Sequence, residues 1–84
     1  MGIFRTFIRS ADLVNGMTQR LGLDLASRLA RDPEGEAQRL KQMITRCAAC
    51  HAHVACAQVQ AQEVSLAACP AYCQNRAAFA ALAD

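Results

Sequence analysis

All five cysteines and both histidines of the chain lie between Cys47 and Cys73. They form two segments, Cys47-Ala-Ala-Cys50-His51-Ala-His53-Val-Ala-Cys56 and Cys69-Pro70-Ala-Tyr72-Cys73. Thiolates are soft metal ligands and redox-active nucleophiles, so such confinement points to one metal centre or to sulfur chemistry. A Cys-x2-Cys pair lets two sulfurs converge on one metal at a helix end. Cys56 and one returning cysteine, Cys69 or Cys73, complete four thiolates, the donor set of tetrahedral zinc or a cubane iron–sulfur cluster. An iron–sulfur cluster is expected first and structural zinc second. Cys47, Cys50 and His53 with one later cysteine would make a Cys3His zinc site. His51 and His53 are nevertheless expected in a polar loop, beside the site rather than on the metal.

Other chemistries fit less well. Cys47-Ala-Ala-Cys50-His51 matches the c-type haem attachment string, but it leaves Cys56, Cys69 and Cys73 without a purpose. A dithiol redox pair works best at a helix N-terminus, where the dipole lowers the thiolate pKa, and Cys47 is expected near a C-terminus. Disulfides would leave one of the five cysteines unpaired. The run Cys47-x2-Cys50-x5-Cys56 resembles the last three ligands of the iron–sulfur loop in helical DNA-repair glycosylases. It departs from that loop where Leu40 stands in place of the first cysteine.

The elements that must position these residues read as helices. Ile3, Phe4, Phe7, Ile8, Ala11 and Val14 recur at helical spacing in a segment running to about Arg20, with Asn15-Gly16 as a weak point. That stripe is expected to cover the core, with a dimer surface as the alternative and membrane-surface binding third. Asp24 can cap a short helix with Leu21, Leu25 and Leu29 on one face. Asp32-Pro33-Glu34-Gly35-Glu36 is the clearest helix start: an N-cap, a proline at the first position and acids at the positive end of the dipole. The helix from Pro33 to about Ala49 then buries Ala37, Leu40, Ile44 and Cys47. Short helices are expected at Cys56–Ala61 and, capped by Ser65, at Leu66–Cys69. A last helix over Gln74–Ala83 turns Ala78, Phe79 and Leu82 inward. No segment alternates as a strand does. The expected fold is all-α, a single domain over residues 1–84 with four to five short helices. Residues 1–31 are the amphipathic part and 32–84 the cysteine-bearing part.

Composition narrows the function. At 84 residues with four aromatics and no Trp, the core is small and its stability marginal without a metal, a disulfide or a partner. A formal net charge of +2, with the nine basic residues scattered, does not describe a nucleic-acid surface. No run reaches the ~20 apolar residues of a membrane span, and Arg5 and Arg9 interrupt any export signal, so a cytoplasmic setting is expected. No catalytic constellation can be assembled, and Glu34, Glu36 and Glu63 read as surface charges. An enzyme is therefore the less favoured class, with a Cys-x2-Cys redox enzyme as the one catalytic alternative.

Leu21-Gly22-Leu23-Asp24-Leu25, Arg46-Cys47-x-x-Cys50, Cys56 and Tyr72-Cys73-x-Asn75-x-x-x-Phe79-x-x-Leu82 together resemble a family of small alphaproteobacterial proteins of unknown function. Its signature is R-C-x-x-C, a further Cys, and a closing aromatic-Cys-x-Asn. The resemblance spans about Gly16 to Leu82. It departs from the usual pattern at Val59 and Gln60, where an aromatic commonly follows the third cysteine. It implies Cys73 rather than Cys69 as the fourth member of the set, with Asn75 as a cap or a hydrogen-bond donor behind the ligands and Arg46 beside them. The expectation is thus a small metal-binding protein with a redox, sensing or adaptor role. It would meet another protein, or itself, through the N-terminal helix. The alternative is a disulfide-stapled or dithiol interaction module without metal.

Overall fold

The Asp32 carboxylate accepts the Gly35 backbone N–H at 3.2 Å, and Pro33 sits in the first helical turn, where its missing N–H is not needed. This start belongs to one of five helices in a computed structural model that describes residues 2–83. They are α1 (Gly2–Arg20), α2 (Leu25–Arg31), α3 (Pro33–Ala48), α4 (His53–Gln62) and α5 (Arg76–Ala83), and no strand occurs among the described residues. The all-α expectation is met.

Helix α1 ends in a Schellman turn. Gly22 takes φ +73°, Leu23 N–H donates to the Thr18 carbonyl and Gly22 N–H to that of Gln19. That turn reverses the chain into α2, where Asp24 accepts the Ser27 N–H at 3.1 Å and its hydroxyl at 2.6 Å. The core consists of Val14 and Met17 from α1, Met43 and Ile44 from α3, Cys69 from the loop, and Phe79 and Leu82 from α5. At ~1.5–3 kcal/mol for each large buried side chain, a core this small leaves little margin.

Several expectations change. The Ile3–Ile8 part of the α1 stripe does not cover the core: Ile3, Phe4, Phe7 and Ile8 are all exposed, Ile3 by 84%. The buried face is Ser10, Leu13, Val14, Met17 and Thr18. The physical reason is length. The first turns of α1 lie beside Thr45 and Ala48, the end of α3, and no other helix among the described residues covers them. Asn15-Gly16 does not weaken α1. Gly16 is instead where the Gln60 side chain approaches so closely that a Cβ would overlap its Oε1.

On α3 the buried positions are Glu36, Met43 and Ile44, with Leu40 and Cys47 packed against the core as expected, whereas Ala37 is exposed. Glu36 is thus not a surface charge. It is buried beneath Arg39 Nη1 at 2.6 Å and Arg28 Nη1 at 3.8 Å. Arg28 also donates to the Leu82 carbonyl at 2.7 Å, tying α2 to the end of α5. Residues 63–75 form turns rather than a Ser65-capped helix, and the backbone is held partly by Leu66 N–H donating to the Arg20 carbonyl. His53 opens α4 rather than sitting in a loop, and α5 starts at Arg76.

Candidate metal centre

Cys47 occupies the last turn of α3, on the side facing α1. Beyond it the helix tightens: Ala49 N–H donates to the Arg46 carbonyl and Cys50 N–H to that of Cys47 at 3.0 Å, which brings Cys50 back beside Cys47. Cys56 lies one turn into α4, and Cys73 in the turn before α5.

These three segments meet at a cavity of about 30 Å³ lined by Cys47, Cys50, Cys56 and Cys73 with Leu13, His53, Tyr72, Gln74 and Asn75. The room suits one water or one ion. Cys69 is not among its walls. It is 5% exposed and packs into the core, and burial together with neighbouring Cys73 pushes its thiol up to about 11. Larger concavities lie elsewhere, about 300 Å³ beside Cys69 and Phe79 and about 480 Å³ between α1 and α4. Each brings only one metal-ligating side chain to its wall, so neither competes as a metal site.

All five cysteines are free thiols. Burial pushes Cys47 up to about 11; nearby Ser10 opposes the rise, and Cys56, Cys50 and Cys73 add to it. Cys56 is raised by burial and by Cys73 and Cys50, with Gln60 opposing. Tyr72 is raised by burial and then by three of the same cysteines. Four thiols this close cannot all ionise without a cation among them. The donor chemistry therefore fits a divalent ion or a cluster. As the side chains stand, however, no group of three or more His, Cys, Asp or Glu among the described residues is ready to hold a metal. Three of the sulfurs face protein donors instead. Cys50 Sγ accepts the Ala52 N–H at 3.3 Å, Cys56 Sγ lies 3.5 Å from Gln60 Nε2, and Cys47 Sγ lies 3.9 Å from His53 Nε2. Such N–H···S contacts suit thiolates as well as thiols.

His53 Nε2 is 2.6 Å from the Cys47 carbonyl oxygen. A carbonyl only accepts, so Nε2 carries the proton and has no lone pair for a metal in this arrangement. His51 is exposed and off the cavity, as is Arg46. Asn75 is 2% exposed, and its Nδ2 donates to the Met43 carbonyl at 2.7 Å, so its role is to brace α3 rather than to cap α5. Its Oδ1, and the hydroxyl of fully buried Ser10, have no hydrogen-bond partner. Ser10 lies near enough to Cys47 to favour its ionised form, but not in hydrogen-bonding geometry.

A sequence model described as a family of unknown function, DUF6455, matches residues 1–84. The chain belongs to that family. No curated protein and no solved structure matches this DUF6455 chain.

Ser10, Leu13, Gln60 and Gln74 were not among the residues expected at the site. Gln60 was legible in principle, since it follows Cys56 by one helical turn. Leu13 reaches the cavity, and Ser10 the neighbourhood of Cys47, only through the packing of α1 on α3 and α4, for which no local signal exists.

Proposed function

We propose that the chain is a small metal-binding protein whose centre is held by Cys47, Cys50, Cys56 and Cys73. The observation that carries this reading is that these four thiols, drawn from α3, the turn after it, α4 and the turn before α5, line one small cavity. The bound metal would supply a crosslink between segments that share little core and would hold the four sulfurs as thiolates. A cavity of about 30 Å³ favours a single zinc ion. An iron–sulfur cluster, with a redox or sensing role, is the second reading. It is favoured by the Cys-x2-Cys-x5-Cys spacing and by an α4 with no buried residue, whose contact with the core is the half-buried Cys56 itself.

With zinc the role is that of an adaptor. The exposed Ile3, Phe4, Phe7 and Ile8 form an apolar patch of the kind that meets another protein or a second copy. No helix among the described residues is long and apolar enough to cross a membrane. A cytoplasmic setting, where clustered thiols stay reduced, belongs to the same reading.

Elemental analysis and an absorption spectrum of protein purified without oxygen test the proposal. One equivalent of zinc and no colour supports the first reading; iron, sulfide and a brown colour bleached by dithionite support the second. Metal-free protein with two cysteine pairs oxidised as isolated sinks both.

A further inference from the structure

We infer that Ser10 is a positioning residue of the metal centre: its hydroxyl is placed to donate a hydrogen bond to the Cys47 thiolate once a metal holds that sulfur ionised. The inference rests on the reading of the four cysteines as one centre. A serine inside a helix ordinarily gives its proton to the carbonyl one turn earlier. Ser10 does not; its side chain has 0% exposure and its Oγ has no partner. Buried polar groups without partners are rare, and this one lies in a particular place. It is one turn before Leu13, which lines the thiol cavity, on the face of α1 that packs against α3. Cys47, in the last turn of α3 on the side facing α1, is the cavity thiol beside it.

A neutral thiol is a weak acceptor and cannot satisfy a buried hydroxyl well, whereas a thiolate is a strong one. The hydroxyl is thus unsatisfied in the metal-free protein and satisfied in the loaded one, which biases the fold toward the loaded state. Donors behind a metal ligand set its orientation and affinity in the same way.

The two states respond oppositely to Ser10→Ala, and this separates positioning from simple packing. The probe is cobalt(II), added as one equivalent to the full reduced chain and competed with a chelator. Ser10→Ala is expected to weaken cobalt binding about 10-fold. It should also move the thiolate-to-cobalt charge-transfer band to lower energy, because the sulfur lone pairs lose a hydrogen bond. The thermal midpoint of the metal-free variant should stay level or rise, since an unsatisfied hydroxyl has been removed. Unchanged affinity and band position overturn the inference, as does a metal-free midpoint that falls in step with affinity. Wild-type protein that takes up no cobalt overturns the metal-centre reading itself, an outcome distinct from either.

Discussion

The Asn75 side chain donates to the Met43 carbonyl across 2.7 Å, joining the turn that carries Cys73 to the helix that carries Cys47, four residues further along α3. This bond is a direct tie between the segment that brings Cys73 and the helix that brings Cys47. Asn75→Leu removes the buried donor and is expected to cost about 1–3 kcal/mol, lowering the thermal midpoint of the metal-free protein by several degrees. It should also speed metal loss. Thermal melts paired with chelator-driven release measure both. A variant that releases metal at the wild-type rate would show that Cys73 is held by other means.

The choice between the two C-terminal cysteines has a direct readout. Cys73→Ser is expected to abolish retention of one equivalent of metal, because Cys73 lines the cavity. Cys69→Ser should retain it and instead lower stability by about 1–3 kcal/mol, since it places a hydroxyl in the apolar core. The reverse pattern would move the centre to the other side of the loop.

Alkaline pH should destabilise the metal-free fold. Cys47 and Cys69 are pushed up to about 11 from an ordinary 9.0, both chiefly by burial. Between those values the unfolded chain has released protons that the folded chain still holds, so stability falls as pH rises from about 9 to about 11. Denaturant midpoints across that range should decline, and the slope should flatten in Cys47→Ala. With metal bound Cys47 is already ionised, so its share of the decline should vanish, the share of Cys69 should remain, and acid should release the metal instead.

Gly16 and Gln60 form a steric and hydrogen-bonding pair. Gln60 Nε2 donates to the Leu13 carbonyl at 2.9 Å, and a Cβ on Gly16 would overlap the same side chain. Gly16→Ala should therefore release α4, seen as faster amide exchange across His53–Gln62, despite the ~1 kcal/mol of helix propensity that alanine adds. In a Gln60→Ala background the overlap is gone, and Gly16→Ala should become stabilising. A double-mutant cycle without that change of sign would disprove the coupling.

Exposed Ile3 and Phe4 contribute little to the monomer's core. Ile3→Ser with Phe4→Ser should leave the thermal midpoint of the monomer within the change expected of a surface site, roughly 0.5 kcal/mol. Any concentration-dependent association seen by sedimentation should disappear with these substitutions. Association that persists unchanged would place the partner surface elsewhere.

Legibility in the sequence followed range. Asp32-Pro33 and Asp24 announce their helices because capping is settled within four residues, and Cys-x2-Cys announces itself for the same reason. The grouping of Cys47, Cys50, Cys56 and Cys73 was accessible through resemblance, not from spacing alone. The orientation of α1 was not legible. Its most apolar stripe, Ile3 to Ile8, points away from the core, while Ser10 and Thr18 are buried. Periodicity reports that a helix has two faces, and the lengths of its neighbours decide which face is covered. Glu36 went unrecognised for a similar reason, since its Arg28 partner arrives from another helix.

Helix α4 has no buried residue, and Arg20 and Gln60 hold it to α1 through backbone carbonyls. Its departure therefore exposes little apolar surface, and heat capacity follows apolar exposure. Opening of the centre at this helix should be nearly flat with temperature, unlike the unfolding of the rest of the body. The grip on Cys56, and with it the grip on a metal, would change little between cold and warm conditions until the core itself gives way.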